Sequence, residues 1–417
     1  MMPPELKSIG SALELSWPDK QVIVTVDGFK DSSRAPEAEV SVKVTAPGYK
    51  GALLAPTNLN LMSLQARSGW AKTLKGRYGE ANWEEILEHV CHRALSHYRE
   101  GEPFLVLREE ADWRPIPFYL SPFLFDGYVT ILHGPGGGGK SYLGLLAAML
   151  CDGYQQYAGI CPAREGKALY LDWESEDRDL NARAAKYRKG MGLTGQPVYR
   201  RCLRPLADDL RRIQRYVAQE RITCVIIDSL APACGADLFA ADTAIRFMTA
   251  LRTLKVSTLV LAHQPKHQEE GKEATVYGSV FFHNLARSVW ELKKVQEVGA
   301  DTREIGLFHR KCNLARLHKP LGFRILEPDG GDTIAFESMP LEESEALSVG
   351  LSDTERVKRT LVQDGPGTAK TLAERVNLDA SRVRVALSRG RGVWCAETGK
   401  EGREMVWEIV EEVKISR

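Results

Sequence analysis

Eight consecutive residues constrain this chain more than any others: Gly134-Pro135-Gly136-Gly137-Gly138-Gly139-Lys140-Ser141. They fit G-x-x-x-x-G-K-[ST] without a mismatch. The apolar run Tyr128-Val129-Thr130-Ile131-Leu132 precedes them, and a segment of helical spacing, Tyr142 to Leu150, follows. This context predicts a strand, a loop and a helix. Glycines let such a loop turn successive backbone N–H groups inward on phosphate oxygens, and the helix N-terminus adds partial positive charge. Lys140 would neutralise β/γ-phosphate charge, and the Ser141 hydroxyl would ligate Mg²⁺. Gly134 through Ser141, with Tyr142, form the expected nucleotide-binding set, with ATP and Mg²⁺ as cofactors. A merely flexible glycine turn would not need Lys-Ser in register between a strand and a helix.

Two further segments complete the chemistry. Cys224-Val225-Ile226-Ile227-Asp228-Ser229 is an apolar strand ending in an acid. A buried strand delivers Asp228 to the carboxyl end of an open α/β sheet, where it can hold Mg²⁺ directly or through water. Ala168-Leu169-Tyr170-Leu171-Asp172-Trp173-Glu174 is a second strand running into carboxylates. Hydrolysis needs a group that orients or deprotonates water. Glu174 is the expected one, with Asp172 and Glu176 as competitors.

In this order the three segments resemble the RecA-like P-loop ATPases, and within them the hexameric replicative helicases of the DnaB-like and plasmid RepA-like branch. The resemblance spans residues about 115 to 335. Leu124 to His133 is similar to the family's lead-in to the phosphate loop. Glu174 stands where the family places its catalytic glutamate. In typical AAA+ proteins that glutamate directly follows the strand-end aspartate, whereas here Asp228 is followed by Ser229. Leu259 to Gln264 resembles the sensor strand, which implies that His263 or Gln264 reports on the γ-phosphate. Gly278-Ser279 and Arg287 resemble the segment after a mobile second loop. Lys311 matches a lysine that reaches a neighbouring subunit's nucleotide and would act in catalysis. Asn313 departs from the arginine often found with it, and Arg310 or Arg316 are the substitutes. The resemblance implies a ring, a hexamer, that moves single-stranded DNA through its ATPase core during replication of a virus, plasmid or mobile element. An ATP-switched DNA-binding regulator or scaffold is the alternative, and a strand-exchange recombinase a weaker one.

The fold class expected is α/β: a RecA-like core with a mostly parallel sheet, a small N-terminal α+β region and a C-terminal winged helix-turn-helix. The expected divisions are 1–105, 106–340, a linker at 341–351, and 352–417. In the first, Val22, Val24 and Val26, and again Val40, Val42 and Val44, alternate with polar residues as strands with one buried face. Gly28 to Pro36 reads as a hairpin loop. Trp83 to Tyr98 reads as a helix with Asn82 as N-cap and Gly101 as its stop. That helix carries His89, Cys91, His92 and His97, which read as a polar flank before they read as a metal site. The region could dock a replication partner. In the last division, Ser352 to Val362, Thr368 to Val376 and Ser381 to Leu387 read as helices. Val393 to Ala396 and Met405 to Ile409 flank Gly399-Lys400-Glu401-Gly402 as a hairpin.

The chain has 417 residues, with 56 Lys and Arg against 55 Asp and Glu, so its net charge of +1 excludes a generally basic nucleic-acid binder but not a local patch. Ser381 to Arg391 carries Arg382, Arg384, Arg389 and Arg391 and no acid, on the helix that winged domains lay against duplex DNA. Lys266 and Lys272 lie in the second loop as candidate single-strand contacts, nearly cancelled by Glu269, Glu270 and Glu273. Arg200, Arg201, Arg204, Arg211, Arg212 and Arg215 crowd one span and read first as a solvated or subunit-pairing face. Eight scattered cysteines, the lack of an apolar leader and the lack of a membrane-length apolar run lead to an expected cytoplasmic protein.

Overall fold

The computed structural model describes residues 3–31, 35–49, 51–101, 104–107, 115–265, 275–296, 300–328, 330–341, 344, 347, 352–402 and 404–410. The central unit begins with β6 (Phe118–Ser121) and β7 (Leu124–Phe125), after the five N-terminal strands and two helices given below. Then follow β8 (Val129–Gly134), α3 (Lys140–Gly153), β9 (Cys161–Pro162), β10 (Lys167–Asp172), α4 (Asp177–Met191), β11 (Val198–Arg201), α5 (Leu206–Glu220), β12 (Ile222–Asp228), α6 (Leu230–Cys234) and α7 (Ala241–Thr253). It closes with β13 (Ser257–His263), α8 (Val280–Leu285), β14 (Ser288–Val295), β15 (Thr302–Cys312), β16 (Leu321–Leu326) and β17 (Ala335–Met339).

Nine of these strands form one sheet in the order β11-β10-β12-β13-β8-β14-β15-β16-β17. The first six run parallel, and the last three pair antiparallel. Helices cover both faces of the parallel part, which is why its strands read as unbroken apolar runs. On β12, Cys224 and Ile226 pack with Leu146 of α3 and Tyr187 of α4. Val225 and Ile227 face the other layer, with Ile213 of α5 and Phe247 of α7. Two strands, β12 and β13, thus separate the acid-bearing β10 from the phosphate-loop strand β8, and the carboxyl ends of β8, β10, β12 and β13 line up along one edge. This is the RecA-like core with a mostly parallel sheet.

The N-terminal unit is an antiparallel meander of β1 (Glu5–Ile9), β2 (Ala12–Trp17), β3 (Val22–Asp31), β4 (Pro36–Val44) and β5 (Ala52–Asn60), with α1 (Leu64–Arg77) and α2 (Trp83–Glu100) on one face. Val22, Val24, Val26, Val40, Val42 and Val44 are all buried in its core with Trp17 and Trp83. The Asn82 carboxamide caps α2 by accepting from the Glu85 N–H. Gly28 to Asp31, expected in a loop, instead continue β3 past a register shift, where Gly28 takes a positive φ of 62°. No cluster of three or more His, Cys, Asp or Glu able to hold a metal occurs among the described residues.

The arginine-rich span also departs from expectation. Arg215 pairs with Asp27 and Arg211 with Glu39, both across the seam between α5 and the meander. A Cβ on Gly10 would lie 2.9 Å from the Gln214 carbonyl carbon, so backbone meets backbone there. Arg200 pairs with Asp209, and Arg201 with Glu176 at 2.9 Å. Much of this cluster therefore holds the chain to itself, using partners up to 188 residues away that no local pattern reveals.

The C-terminal unit contains α9 (Asp353–Gln363), β18 (Gly367–Thr368), α10 (Ala369–Val376), α11 (Ala380–Gly390), β19 (Cys395–Glu401) and β20 (Glu404–Ile409), with sheet order β18-β20-β19. Ser352 and Glu355 form a reciprocal capping box on α9. Val357, Leu372, Val383, Leu387 and Trp394 make its core. The hairpin is tighter than expected, because Gly399, Lys400 and Glu401 pair with Val406, Met405 and Glu404 instead of forming the loop. In the expected linker, Leu341 and Leu347 are buried against Phe308. Glu342, Glu343 and Glu345 lie outside the described residues.

Candidate active site

The phosphate loop leaves β8 at Gly134 and enters α3 at Lys140. Gly137 and Gly139 take φ of 62° and 105°, which side chains disfavour. Gly136 and Gly137 are exposed. The Lys140 ammonium donates to the carbonyls of Gly134 and Pro135 at 3.0 and 2.7 Å. Burial pushes its pKa down, while the charges of Asp228 and Glu174 oppose that shift.

Asp228 is 2% exposed at the end of β12. It accepts a 2.6 Å bond from the Tyr170 hydroxyl and a bond from Ser141. Burial pushes its carboxyl above the usual range. A hydroxyl and a carboxylate brought together are hard oxygen donors of the kind Mg²⁺ takes. The two residues fit that ion as a shared site completed by phosphate oxygens and water, since no cluster of three or more metal-ligating side chains occurs among the described residues. When bound, the ion would withdraw charge from the β/γ-phosphates. Tyr170 was not picked out from the sequence, although its alternation on β10 puts it on the α3 side, two residues before Asp172.

The three competing acids separate by geometry. Asp172 pairs in register with Asp228 and spends Oδ1 on the N–H groups of Glu174 and Ser175, both at 2.9 Å. It shapes the turn. Glu176 is drawn off by Arg201. Glu174 alone faces the site, where it accepts from the Ser229 hydroxyl and lies 3.5 Å from His263 Nε2. The hydrogen bond from His263, then that from Ser229, holds its carboxyl below the usual range, opposed by partial burial. A carboxylate so held is ready to orient or deprotonate water.

His263 ends β13 directly opposite Gly134 of the phosphate loop. Gln264 donates its N–H to the Gly134 carbonyl, and its buried Oε1 has no hydrogen-bond partner among the described residues. Both expected sensors therefore touch the loop or the acid.

Beyond the loop, Tyr142 lies between two guanidiniums, Arg183 at 4.3 Å and Arg303 at 4.8 Å, and donates to Glu327 at 2.8 Å. Glu327 and Arg303 line a cavity of about 470 Å³ with Lys186 and Ile325. Ile325 is 3.6 Å from where a Gly139 Cβ would stand, so the cavity adjoins the loop's end. That volume suits a nucleoside. Tyr142→Ala is expected to raise KM for ATP about tenfold with kcat little changed, the pattern of lost uniform binding, as steady-state kinetics will show.

Lys311 is placed differently from its expected role. Its ammonium donates to the carbonyls of His283, Asn284 and Ala286 at 2.8, 2.8 and 2.9 Å. Those carbonyls end α8, where a cation is favoured. Three such bonds contribute roughly 1.5 kcal/mol each even at the weak end for charged groups. Reaching a neighbour's nucleotide would forfeit them, so Lys311 is a clamp on its own chain here. Arg310 is held by Glu291 at 2.6 Å.

The C-terminal arginines, free of acids in sequence, meet acids in space. Asp353 binds Arg382 through two 2.7 Å bonds, Glu404 lies 3.8 Å from Arg384, and Glu397 pairs with Arg391. Exposed pairs contribute only about 0–1 kcal/mol each, but they cancel charge. Among the described residues Arg389 alone of the four has no acidic partner. Lys266 and Lys272 lie outside the described residues.

Residues 101–269 match a family model described as AAA domain. That span takes in the phosphate loop, Glu174, Asp228, His263 and Gln264. A KaiC-like protein of the hyperthermophilic archaeon Pyrococcus horikoshii OT3, known from its crystal structure, is similar at 19% identity and a TM-score of 0.38, over 53% of this chain and 94% of that one. No curated protein gives a significant match. No helix among the described residues is long and apolar enough to cross a membrane. Two strands intervene between β8 and β10, and the candidate catalytic acid follows β10 instead of Asp228. These features give the central unit a RecA-like core fold that carries a phosphate loop, and residues 101–269 of it are similar to the AAA domain family.

Proposed function

We propose that the protein is an ATP-driven motor on single-stranded DNA, a helicase working as a ring of six copies in the replication of a virus, plasmid or mobile element. One observation carries the DNA part of this reading. Phe239, from the loop after α6, and Tyr277, from the segment after β13, meet edge to face with centroids 5.3 Å apart, 63% and 39% exposed. Neither loop alone offers a stacking surface, but the fold assembles one. Exposed aromatic faces are what sequence-tolerant single-strand binding uses.

The pair is also wired to the site. The Tyr277 N–H donates to the His263 carbonyl at 3.0 Å, and the Ser279 N–H to the Leu238 carbonyl at 2.7 Å. A change at Glu174 and His263 therefore has one backbone bond to cross before it moves Tyr277. Phe239→Ala and Tyr277→Ala are each expected to weaken oligonucleotide binding about tenfold, from about 1–3 kcal/mol of stacking per base. Fluorescence anisotropy with a labelled oligonucleotide checks this, and unchanged affinity in both variants sinks the assignment.

A second reading, an ATP-switched scaffold without unwinding, draws support from Lys311, whose engagement with α8 leaves no cation yet identified to act in trans. The near-neutral exterior of α11 favours protein docking there over duplex binding. Strand displacement on a forked substrate separates the two readings.

A further inference from the structure

Asp172 ends β10 at 0% exposure, and only half of its carboxylate has a use within the chain. Oδ1 accepts from the Glu174 and Ser175 N–H groups, both at 2.9 Å. Oδ2 is buried and has no hydrogen-bond partner among the described residues. A buried carboxylate oxygen without a donor is costly, and the turn needs only Oδ1.

The fold places Oδ2 beside the metal-binding acid. Ala168 and Tyr170 pack in the core on the α3 side of the sheet, so Asp172, two residues further along β10, shares that face. Cys224 and Ile226 do the same for Asp228 on β12. The two acids are register partners on neighbouring parallel strands, which lie about 4.8 Å apart. Both strand ends are held by backbone bonds. The Cys202 N–H donates to the Asp172 carbonyl and the Trp173 N–H to the Asp228 carbonyl, each at 2.7 Å. Two adjacent buried anions repel, and a cation at the site relieves both. Asp172, Asp228 and Glu174 do not converge as a cage of direct ligands, since no such cluster occurs among the described residues. Mg²⁺ gives up its waters reluctantly and usually keeps several, and each is a donor. A donor is what Oδ2 lacks.

We propose that Asp172 is a positioning residue for the metal. Its Oδ2 accepts from water carried by Mg²⁺ at Ser141 and Asp228, while its Oδ1 keeps the turn that presents Glu174. One carboxylate thereby ties the metal half of the site to the acid that orients water. The proposal rests on the reading of this site as one for Mg-ATP and is independent of DNA.

The test uses the full-length chain and two variants. Asp172→Asn keeps the side chain's shape and an oxygen for the two N–H groups, but its NH₂ cannot accept from water. Asp172→Ser is smaller, and its hydroxyl can still accept at the turn. Mn²⁺, which takes the same hard oxygen donors, is the metal probe, titrated with ADP present and read by electron paramagnetic resonance. Each variant is expected to bind Mn²⁺ about tenfold more weakly than wild type, the low end of the loss when a group supporting a metal's ligands is removed. ADP affinity in EDTA is expected to be unchanged. The thermal midpoint in EDTA is expected to be unchanged or higher, because one of two neighbouring buried anions is gone. A merely structural role gives the reverse: a lower midpoint and weaker ADP binding in EDTA, with wild-type Mn²⁺ affinity in the ADP-bound protein. That result overturns the proposal, as does wild-type Mn²⁺ affinity in both variants. A wild type that binds ADP but no Mn²⁺ overturns the metal reading and the proposal together, whereas a wild type that binds Mn²⁺ tightly and is matched by its variants overturns the proposal alone.

Discussion

Glu174→Gln lowers kcat by about 10²–10⁴ and leaves ATP affinity nearly unchanged, the range expected when a positioned general base is removed. Glutamine keeps the size of the side chain and can still accept from Ser229, so the turn after β10 should survive. What is lost is the negative charge that His263 and Ser229 hold in place. The sign of the pH dependence follows from that. A carboxyl with a depressed pKa supplies its base form above that value and loses it only as pH falls through it. The wild-type rate should therefore show no loss due to Glu174 until pH falls below the ordinary glutamate value of about 4.3. Steady-state hydrolysis with a separate binding measurement checks both parts. Wild-type kcat in Glu174→Gln, with the loss appearing in Glu176→Gln, would move the role to the competitor.

Lys140→Ala is expected to lower kcat/KM by at least about 10³-fold, since it removes the cation aimed at the phosphate charge developing in the transition state. The ammonium rests on the Gly134 and Pro135 carbonyls, so the loop is already shaped around it. Leu143, Leu145 and Leu146 keep α3 in the core whatever stands at position 140. The expected result is thus a folded protein with little hydrolysis, and far-UV circular dichroism alongside the assay separates this outcome from misfolding.

The parallel strands were legible because helices on both faces demand apolar residues at every position, as Cys224 to Ile227 show. The phosphate loop was legible because its backbone needs glycine and its chemistry needs Lys-Ser. The choice among Asp172, Glu174 and Glu176 was harder, because it turns on which carboxylate caps the turn and which meets an arginine. Those facts belong to the turn geometry after β10 and to Arg201 on β11. The partners of the arginines are hidden from the sequence for a related reason. Local composition shows Arg382 without an acid, while its partner Asp353 lies 29 residues earlier on α9. The stacking surface was hidden likewise, since Phe239 and Tyr277 come from loops after different strands. Lys311 matched a family position, but position along a strand does not say whether a helix end lies within reach.

These differences between pattern and structure share one physical origin. Pattern along the chain reports burial and backbone need, which are local. Pairing of charges and stacking of rings depend on which strand ends the sheet order brings together, and here β13 lies between β8 and β12.

The most direct test of the account is ATP hydrolysis by the wild-type chain measured with and without single-stranded DNA. The account predicts that the oligonucleotide raises the rate, that Lys140→Ala abolishes both rates, and that Phe239→Ala with Tyr277→Ala removes the stimulation while sparing the basal rate. A basal rate that survives Lys140→Ala, or a wild-type rate indifferent to DNA, would contradict it.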